Sequence, residues 1–139
     1  MLFRSDNDTI VKRKHIFEQY TKAISKYDWA ELPVGIANTE GVKTETSYHL
    51  YPLRIKNITE DQRDAIIQEV TSREVAVNVH FIPVPMMSFY KNSGYKIKDY
   101  PVTYDNYSRE ISLPIFYDLT DDQITTVVET LVKAVKKIV

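Results

Sequence analysis

The chain has 139 residues, of which 43% are hydrophobic and 27% charged, and its formal net charge is −1. These values predict one folded domain, residues 1–139, rather than a disordered tail. A charge this close to zero gives no electrostatic basis for binding nucleic acid or an anionic membrane. The absence of cysteine excludes disulfides, thiol nucleophiles and thiolate metal sites.

No targeting or membrane signal stands out in the sequence. The first eight residues, MLFRSDND, lack the apolar region of a signal peptide. No run of residues approaches the roughly 20 apolar positions that a membrane-spanning helix needs. The sequence therefore predicts a cytoplasmic, soluble protein without a membrane partner.

The first third of the chain predicts a helix, a loop and a strand. Aromatic and aliphatic residues recur every three or four positions over residues 9–27, which predicts a helix. Residues 36–46 are polar and are predicted to form a loop. Residues 47–55 are rich in aromatic and branched side chains and predict a strand, in which Pro52 indicates an edge position or a bulge.

The middle of the chain predicts a second helix and a second strand. Thr59 and Gln62 have the spacing of a capping box and mark the start of the helix. Residues 75–79 then alternate valine with other residues, which is typical of a strand with two different faces.

The segment that follows this strand is unusual, because VNVHFIPVPMMSFY at residues 77–90 combines one histidine, two prolines, two methionines and three aromatics. A proline-rich segment lacks regular pairing, so part of this apolar block is expected at the surface. Exposed aromatic and methionine side chains mark interfaces or ligand grooves. The residues alone therefore predict a binding surface around residues 78–100.

The last third predicts a turn at Gly94, a short helix near 102–111, an extended segment at 113–116 and a long helix that begins with a second capping box, Thr120 and Gln123. The order of elements predicts an α/β (α+β-like) fold, in which a small sandwich of a few strands is covered by helices on one side.

Candidates for chemistry are few. His15 lies in the first predicted helix and is interpreted as a surface residue, whereas His49 is interpreted either as a packed side chain or as a ligand-facing one. His80 ends a predicted strand, where sites form in α/β proteins, and both a structural and a functional role stay open. No acidic or histidine cluster has the spacing of a metal site.

The order of several motifs resembles the DegT/DnrJ/StrS family of pyridoxal-phosphate (PLP)-dependent sugar-nucleotide aminotransferases. The resemblance covers residues 8–139 and matches the C-terminal part of the family. The matching stretches are SYHLYPLRI, then REVAVNVHFIPVPMMSFYKNSGY, and finally KDYPVTYDNYSREISLPIFYDLTDDQ.

The resemblance implies a small C-terminal domain of a fold-type I aminotransferase. Family members are about three times longer, and their large domain carries the Schiff-base lysine, the acidic partner of the pyridinium nitrogen and the phosphate-binding loop. None of these is recognised in this sequence. We therefore expect a chain without its own cofactor, inactive alone, whose partner is the large domain or a second subunit. The complete enzyme is expected to transfer an amino group from glutamate to a keto sugar nucleotide.

The resemblance also implies the substrate-binding residues. In the family, the Val–His–aromatic–x–Pro segment lines the sugar-nucleotide site. The same family pattern includes the aromatic–His–Leu–Tyr strand and the aromatic residue before the basic turn, so their residues are added to the expected site. Many members have a histidine where this chain has Pro85, so the identity of the sugar does not carry over. The six implied residues are His80, Phe81, Pro83, Tyr90, His49 and Tyr51.

Two alternatives to an aminotransferase domain stay open at the level of sequence. The first is a free-standing module that binds a sugar nucleotide or a protein, and the second is a folded remnant without function. In each case the apolar part of residues 81–90 is expected to lie at the surface, and such patches favour a homo-oligomer.

Overall fold

The structure, a computed structural model, describes residues 6–139. It confirms the expected mixture of helices and strands. In chain order the elements are α1 (Asp6–Ile24), β1 (Ala30–Glu31), β2 (Ile36–Thr39), β3 (Val42–Glu45), β4 (Tyr51–Ile55), α2 (Glu60–Thr71), α3 (Ser88–Asn92), α4 (Pro101–Ser108), β5 (Glu110–Leu113) and α5 (Asp121–Ile138), with short 3-10 turns at Val84–Met86 and Ile97–Asp99.

An antiparallel sheet with the order β1–β4–β5 forms the centre of the fold. Successive side chains of a strand point to opposite faces. On one face Leu53 and Ile111, which are partners in the β4–β5 register, are fully buried in the core shared with α1, α2 and α5. Burying each such side chain contributes about 1.5–3 kcal/mol. This confirms a sheet covered by helices on one side, and the opposite face remains for other uses.

Both predicted capping boxes are present. The Thr59 side chain accepts a hydrogen bond from the Gln62 N–H, and the Gln62 side chain accepts one from the Thr59 N–H. Thr120 and Gln123 repeat the same pair of bonds at the start of α5. Each box satisfies two main-chain donors that the first helical turn leaves without partners.

The prediction of a loop over residues 36–46 is wrong, because β2 and β3 form an antiparallel hairpin in this stretch. Glu40 and Gly41 both have positive φ, at 52° and 82°, as a tight hairpin turn requires. Neither strand contains a buried residue, so the periodic apolar signal of a half-buried strand is missing from the sequence.

The predicted strand at residues 75–79 is reduced to a single bridge between Asn78 and Ser112. The alternation is real, since Val75 is buried and Ala76 is exposed. Side chains take the donors that a continuous ladder would use. The Val79 N–H donates to the Asn78 side chain at 2.8 Å, and the His80 N–H donates to a carboxylate on β5.

Three boundaries also differ from the predictions. The strand predicted for 47–55 begins only at Tyr51, since Tyr48 has a positive φ of 55°. The helix predicted near 102–111 ends at Ser108, and β5 occupies residues 110–113, so the regular extended stretch lies earlier than 113–116.

Pro52 lies in the central strand, but β1 pairs only with Arg54 and Ile55, so the β1 side of the strand is open at Pro52.

Residues 81–107, called the arm below, differ from the rest of the chain, called the body (residues 6–80 and 108–139). Pro83 is the one buried residue of the arm. The arm contains the predicted turn, where Gly94 has a φ of 95°. It exposes a set of large apolar side chains: Phe81, Ile82, Val84, Phe89, Tyr90, Tyr95, Tyr100, Val102 and Tyr104.

The arm begins where His80 leaves the sheet and returns through α4 to β5. Across residues 6–139, no helix has both the length and the apolar character needed to cross a membrane.

Candidate functional site

A cleft of about 570 Å³ lies between the arm and the open face of the sheet. We call it the arm cleft. Pro33, Pro52 and Pro83 contribute apolar surface to it, and Phe81 adds an aromatic ring. Its polar lining includes Arg54, Asn106, Tyr107, His80 and Glu110. Apolar walls with a few polar groups are the usual composition of a small-molecule site.

Charged side chains cross the open face of the sheet in one row. The strand register places Glu31 opposite Arg54, and Arg54 opposite Glu110. The Arg54 guanidinium donates to Glu31 Oε1 at 2.5 Å and to Asn106 Oδ1 at 2.7 Å. Arg54 thus ties β1 and α4 to the central strand, and its buried Nε has no partner among the described residues.

Glu110 is the most buried member of this row, with 5% of its surface exposed. Its Oε2 accepts the His80 N–H at 2.9 Å, and its Oε1 accepts the Ser112 hydroxyl at 2.5 Å. Burial raises the pKa of the Glu110 carboxyl above its ordinary value, against the lowering effect of these two donors. A buried carboxylate therefore lies at the point where the arm leaves the body.

The other end of the arm is held by Arg63, which is 1% exposed. Its Nη1 donates to the carbonyl oxygens of Tyr107 at 2.8 Å and Glu110 at 3.3 Å, and its guanidinium lies 4.9 Å from the centre of the Tyr107 ring. The Tyr104 hydroxyl donates to Glu60 at 2.8 Å. Both ends of the arm are therefore fastened to the body by polar contacts.

Three of the six predicted site residues line the arm cleft together, namely His80, Phe81 and Pro83. His80 is exposed, Phe81 is 69% exposed, and Pro83 is buried. The peptide bond between His80 and Phe81 is cis. These three residues of the Val–His–aromatic–x–Pro segment form one edge of the cleft.

The other three residues lie elsewhere. His49 lines a separate hollow of about 320 Å³ that also includes His80, and its Nδ1 is 2.8 Å from the Ser47 hydroxyl. Tyr90 lies further along the arm in an aromatic group, with its ring centre 5.3 Å from that of Phe89 and 5.9 Å from that of Tyr95.

Tyr51 lies in the core rather than at the arm cleft. It is fully buried, its hydroxyl is 3.1 Å from that of Thr21, and its ring meets the edge of Phe17 with the centres 4.8 Å apart. Burial raises the pKa of Tyr51 to about 12. The assignment of the six residues to substrate binding stays a prediction.

The described lysines do not lie in the environment that covalent binding of PLP requires. A lysine that forms a Schiff base is buried, and its pKa is depressed. Within residues 6–139 no lysine is buried. The Glu45 carboxylate, 2.8 Å from the Lys14 Nζ, raises the Lys14 pKa instead. The same part of the chain contains no group of three or more histidine, aspartate or glutamate residues that could hold a metal ion.

Glu110, Arg54 and Asn106 are not among the residues that the sequence predicts for the site. The sequence predicts only a strand or a short helix for the segments that contain them. The sequence does contain a signal for Glu110. Polar Glu110 and Ser112 alternate with apolar Ile111 and Leu113, which is the pattern of a strand with two different faces. Alternation alone does not tell whether the second face is solvent or a covered cleft.

Comparisons with known proteins agree on one family. The model of the DegT/DnrJ/EryC1/StrS aminotransferase family matches residues 4–132. Uncharacterized protein MJ1066 of Methanocaldococcus jannaschii is 40% identical over 111 residues, which are 73% of this chain and 28% of that protein. Spore coat polysaccharide biosynthesis protein SpsC of Bacillus subtilis is 32% identical over 93 residues, which are 65% of this chain and 24% of that protein.

Solved structures show the same likeness. The putative sugar aminotransferase Spr1654 of Streptococcus pneumoniae, in its PMP form, superposes with a TM-score of 0.88 at 29% identity, covering 96% of this chain and 32% of that one. Helicobacter pylori PseC, an aminotransferase of pseudoaminic acid biosynthesis, shares the fold with a TM-score of 0.75 at 19% identity, covering 92% of this chain and 33% of that one. The chain spans about a quarter to a third of the length of these relatives.

Proposed function

The chain belongs to the DegT/DnrJ/EryC1/StrS aminotransferase family, and on this basis we propose that it is the C-terminal small domain of a PLP-dependent sugar-nucleotide aminotransferase. The observation that carries the proposal is the match to Spr1654, which extends over 96% of this chain but only 32% of that protein. The complete enzyme transfers an amino group from glutamate to a keto sugar nucleotide, and surface polysaccharide synthesis is the proposed setting, which the similarity to SpsC supports.

The proposed role of the arm cleft is to form one wall of the sugar-nucleotide site. Phe81 and the prolines offer flat apolar surface to a sugar ring, and His80 offers an imidazole that exchanges donor and acceptor roles with hydroxyl groups. The opposite wall and the cofactor lysine come from a large domain outside the described residues, in line with the absence of a buried lysine among them.

The first experiment tests whether any lysine of the isolated chain binds PLP covalently. PLP added to the 139-residue chain should produce no visible absorption band of lysine-bound cofactor, because none of the described lysines is buried. A stable band that borohydride converts into a lysine adduct at one position would contradict the proposal.

A chimera tests the proposal in an assembled enzyme. We expect that Spr1654 carrying this chain in place of its matching segment retains lysine-bound PLP and binds a nucleoside-diphosphate hexose. Phe81→Ala should then weaken that binding about tenfold, the effect of losing one well-packed aromatic contact. Phe89→Ala is the matched control, because Phe89 is similarly exposed (74%, against 69% for Phe81) but lies outside the cleft.

A free-standing binding module is the second candidate, and the size and lining of the arm cleft favour it. UDP-glucose titrated into the isolated chain distinguishes the two. Amide shifts confined to residues around His80 and Phe81, with micromolar affinity, support the module, whereas shifts only at millimolar concentration support a domain that needs its partner.

The arm exposes many apolar side chains, and we expect a second copy of the chain or a large domain to bury them in an interface. The isolated chain should therefore form dimers or larger assemblies in light scattering, and the double variant Phe89→Asp, Val102→Asp should dissociate them. A wild-type chain that stays monomeric at high concentration would contradict self-association.

A further inference from the structure

The first residue before the arm is held by a side chain and not by a strand ladder. Regular pairing with β5 stops after the Asn78–Ser112 bridge, where the two residues exchange main-chain bonds of 3.3 and 2.7 Å. Beyond this bridge, the next main-chain donor that bonds to β5 is the His80 N–H, which donates to Glu110 Oε2 at 2.9 Å. The direction in which the chain enters the arm is therefore set at this bond.

Glu110 is itself held in place. The Ser112 hydroxyl donates to Oε1 at 2.5 Å, so each carboxylate oxygen has its own donor. Strand pairing fixes the main chain of Glu110 opposite Arg54, and Arg63 from α2 donates to the Glu110 carbonyl oxygen at 3.3 Å. Neither the carboxylate nor its backbone is free to move independently of the sheet.

A buried carboxylate is a costly way to pack this position. Taking the charge out of water disfavours folding unless several donors compensate, and an apolar side chain of similar size would pack without that cost. The groups that face the carboxylate are Ser112, the His80 main chain and imidazole, the Arg63 guanidinium and, across the strand register, Arg54. Their arrangement directs the carboxylate toward the entry of the arm.

We propose that Glu110 is the positioning residue of the arm cleft: by holding the His80 main chain, it sets where the His80 imidazole and the Phe81 ring stand over the cleft. This inference rests on the proposed function, because those two side chains are its proposed substrate contacts. Glu110 is not proposed to touch substrate, and its effect passes through His80.

Amide exchange tests the contact in the 139-residue chain. Glu110→Ala should speed hydrogen exchange at the His80 amide by about tenfold to a hundredfold, the effect of losing a bond to a charged acceptor. Glu110→Gln should give a smaller increase, since its amide oxygen still accepts. Glu60→Gln is the matched control at the other end of the arm, where Glu60 accepts from Tyr104, and it should leave His80 unchanged. Equal exchange in Glu110→Ala and wild type would overturn the inference.

A second measurement needs no destabilising variant. In the wild type the His80 amide shift should follow a carboxyl titration whose midpoint is raised above the ordinary glutamate value, and Glu110→Gln should abolish that step. A purely packing role for Glu110 predicts no such step, so its absence in the wild type would overturn the inference even if Glu110→Ala fails to fold.

Binding then separates this inference from the proposed function. In the Spr1654 chimera Glu110→Ala should weaken binding of a nucleoside-diphosphate hexose about tenfold, and Glu110→Gln, whose amide oxygen still accepts the His80 N–H, should weaken it less. Unchanged binding alongside an altered His80 amide overturns the positioning role and leaves the proposed function intact. If the unmodified chimera binds no sugar nucleotide, the proposed function fails, and the amide measurements alone decide whether Glu110 holds His80.

Discussion

The body and the arm differ in how far their apolar side chains are buried. In the body, side chains from the sheet and from α1, α2 and α5 form one continuous buried core. In the arm, 27 residues long, Pro83 is the one buried residue, although the arm is rich in aromatic side chains. The helices differ in the same way: α2 and α5 begin with capping boxes, whereas α3 and α4 have no side-chain cap.

The difference shows that apolar composition has two uses in this chain. In the body it stabilises the fold, because the apolar side chains are removed from water within the chain itself. In the arm the apolar side chains stay exposed, so they contribute little to folding and are accessible to another molecule. The four predictions below test this division, beginning with the largest expected effect.

The first prediction compares an apolar truncation in each region. Leu53→Ala, at a fully buried position of β4, should lower the free energy of unfolding by about 2–5 kcal/mol through lost burial and the cavity left behind. Phe89→Ala, at a 74% exposed position of the arm, should change it by less than about 0.5 kcal/mol. Urea denaturation measures both. A large loss for Phe89→Ala would show that the arm belongs to the folding core.

The second prediction concerns the buried cation that joins the two regions. Arg63→Met should cost about 2–4 kcal/mol, because the Tyr107 and Glu110 carbonyl oxygens lose their donor. Arg73→Met is the matched control just past the other end of α2, where Arg73 is half-exposed and its ion pair with Glu69 is worth less than about 1 kcal/mol. Equal losses in the two variants would mean that Arg63 does not link the arm to the body.

The third prediction concerns pH and the core. The pKa of Tyr51 is raised from 10 to about 12 by burial, so the neutral form is favoured in the folded state. Its contribution is fully present below pH 10 and is lost as pH rises through 12, which lowers the free energy of unfolding by about 2–3 kcal/mol.

Urea denaturation between pH 9 and pH 12 measures this loss, and Tyr51→Phe should show a shallower decline over the same range. Tyr20, whose pKa is also raised by burial, remains in that variant and keeps part of the slope. An identical slope in Tyr51→Phe and wild type would place the Tyr51 hydroxyl in water instead of the core.

The fourth prediction uses the difference in capping. Thr120→Ala should cost about 1 kcal/mol, since the first turn of α5 loses its acceptor, and Thr120→Ser should recover most of the loss. In the arm, Met87→Ser places a capping side chain at the extended N-cap of α3. It should change global stability by less than about 0.5 kcal/mol but slow amide exchange within Ser88–Asn92. A global gain comparable to the Thr120 effect would contradict the separation of arm and body.

The amino-acid sequence by itself determined the elements whose signals are local. The start of α2 and α5 follows from residues three positions apart, and the apolar stripe of α5 follows from the helical period, so both are visible without a fold. The family likeness is local in the same sense, because it rests on short motifs in a fixed order, and the family match over residues 4–132 confirms it.

Only the tertiary structure decided how the arm cleft is assembled. The bond between His80 and Glu110 joins residues 30 positions apart, and Arg54 meets Glu31 and Asn106 at separations of 23 and 52. The reduced strand at residues 75–79 also depended on which partners its backbone donors found. The physical reason is common to these cases: a polar group has several possible partners of similar energy, and the packing of distant elements selects among them. The β2–β3 hairpin escaped prediction for another reason, since its strands contain no buried residue and so carry no periodic apolar signal.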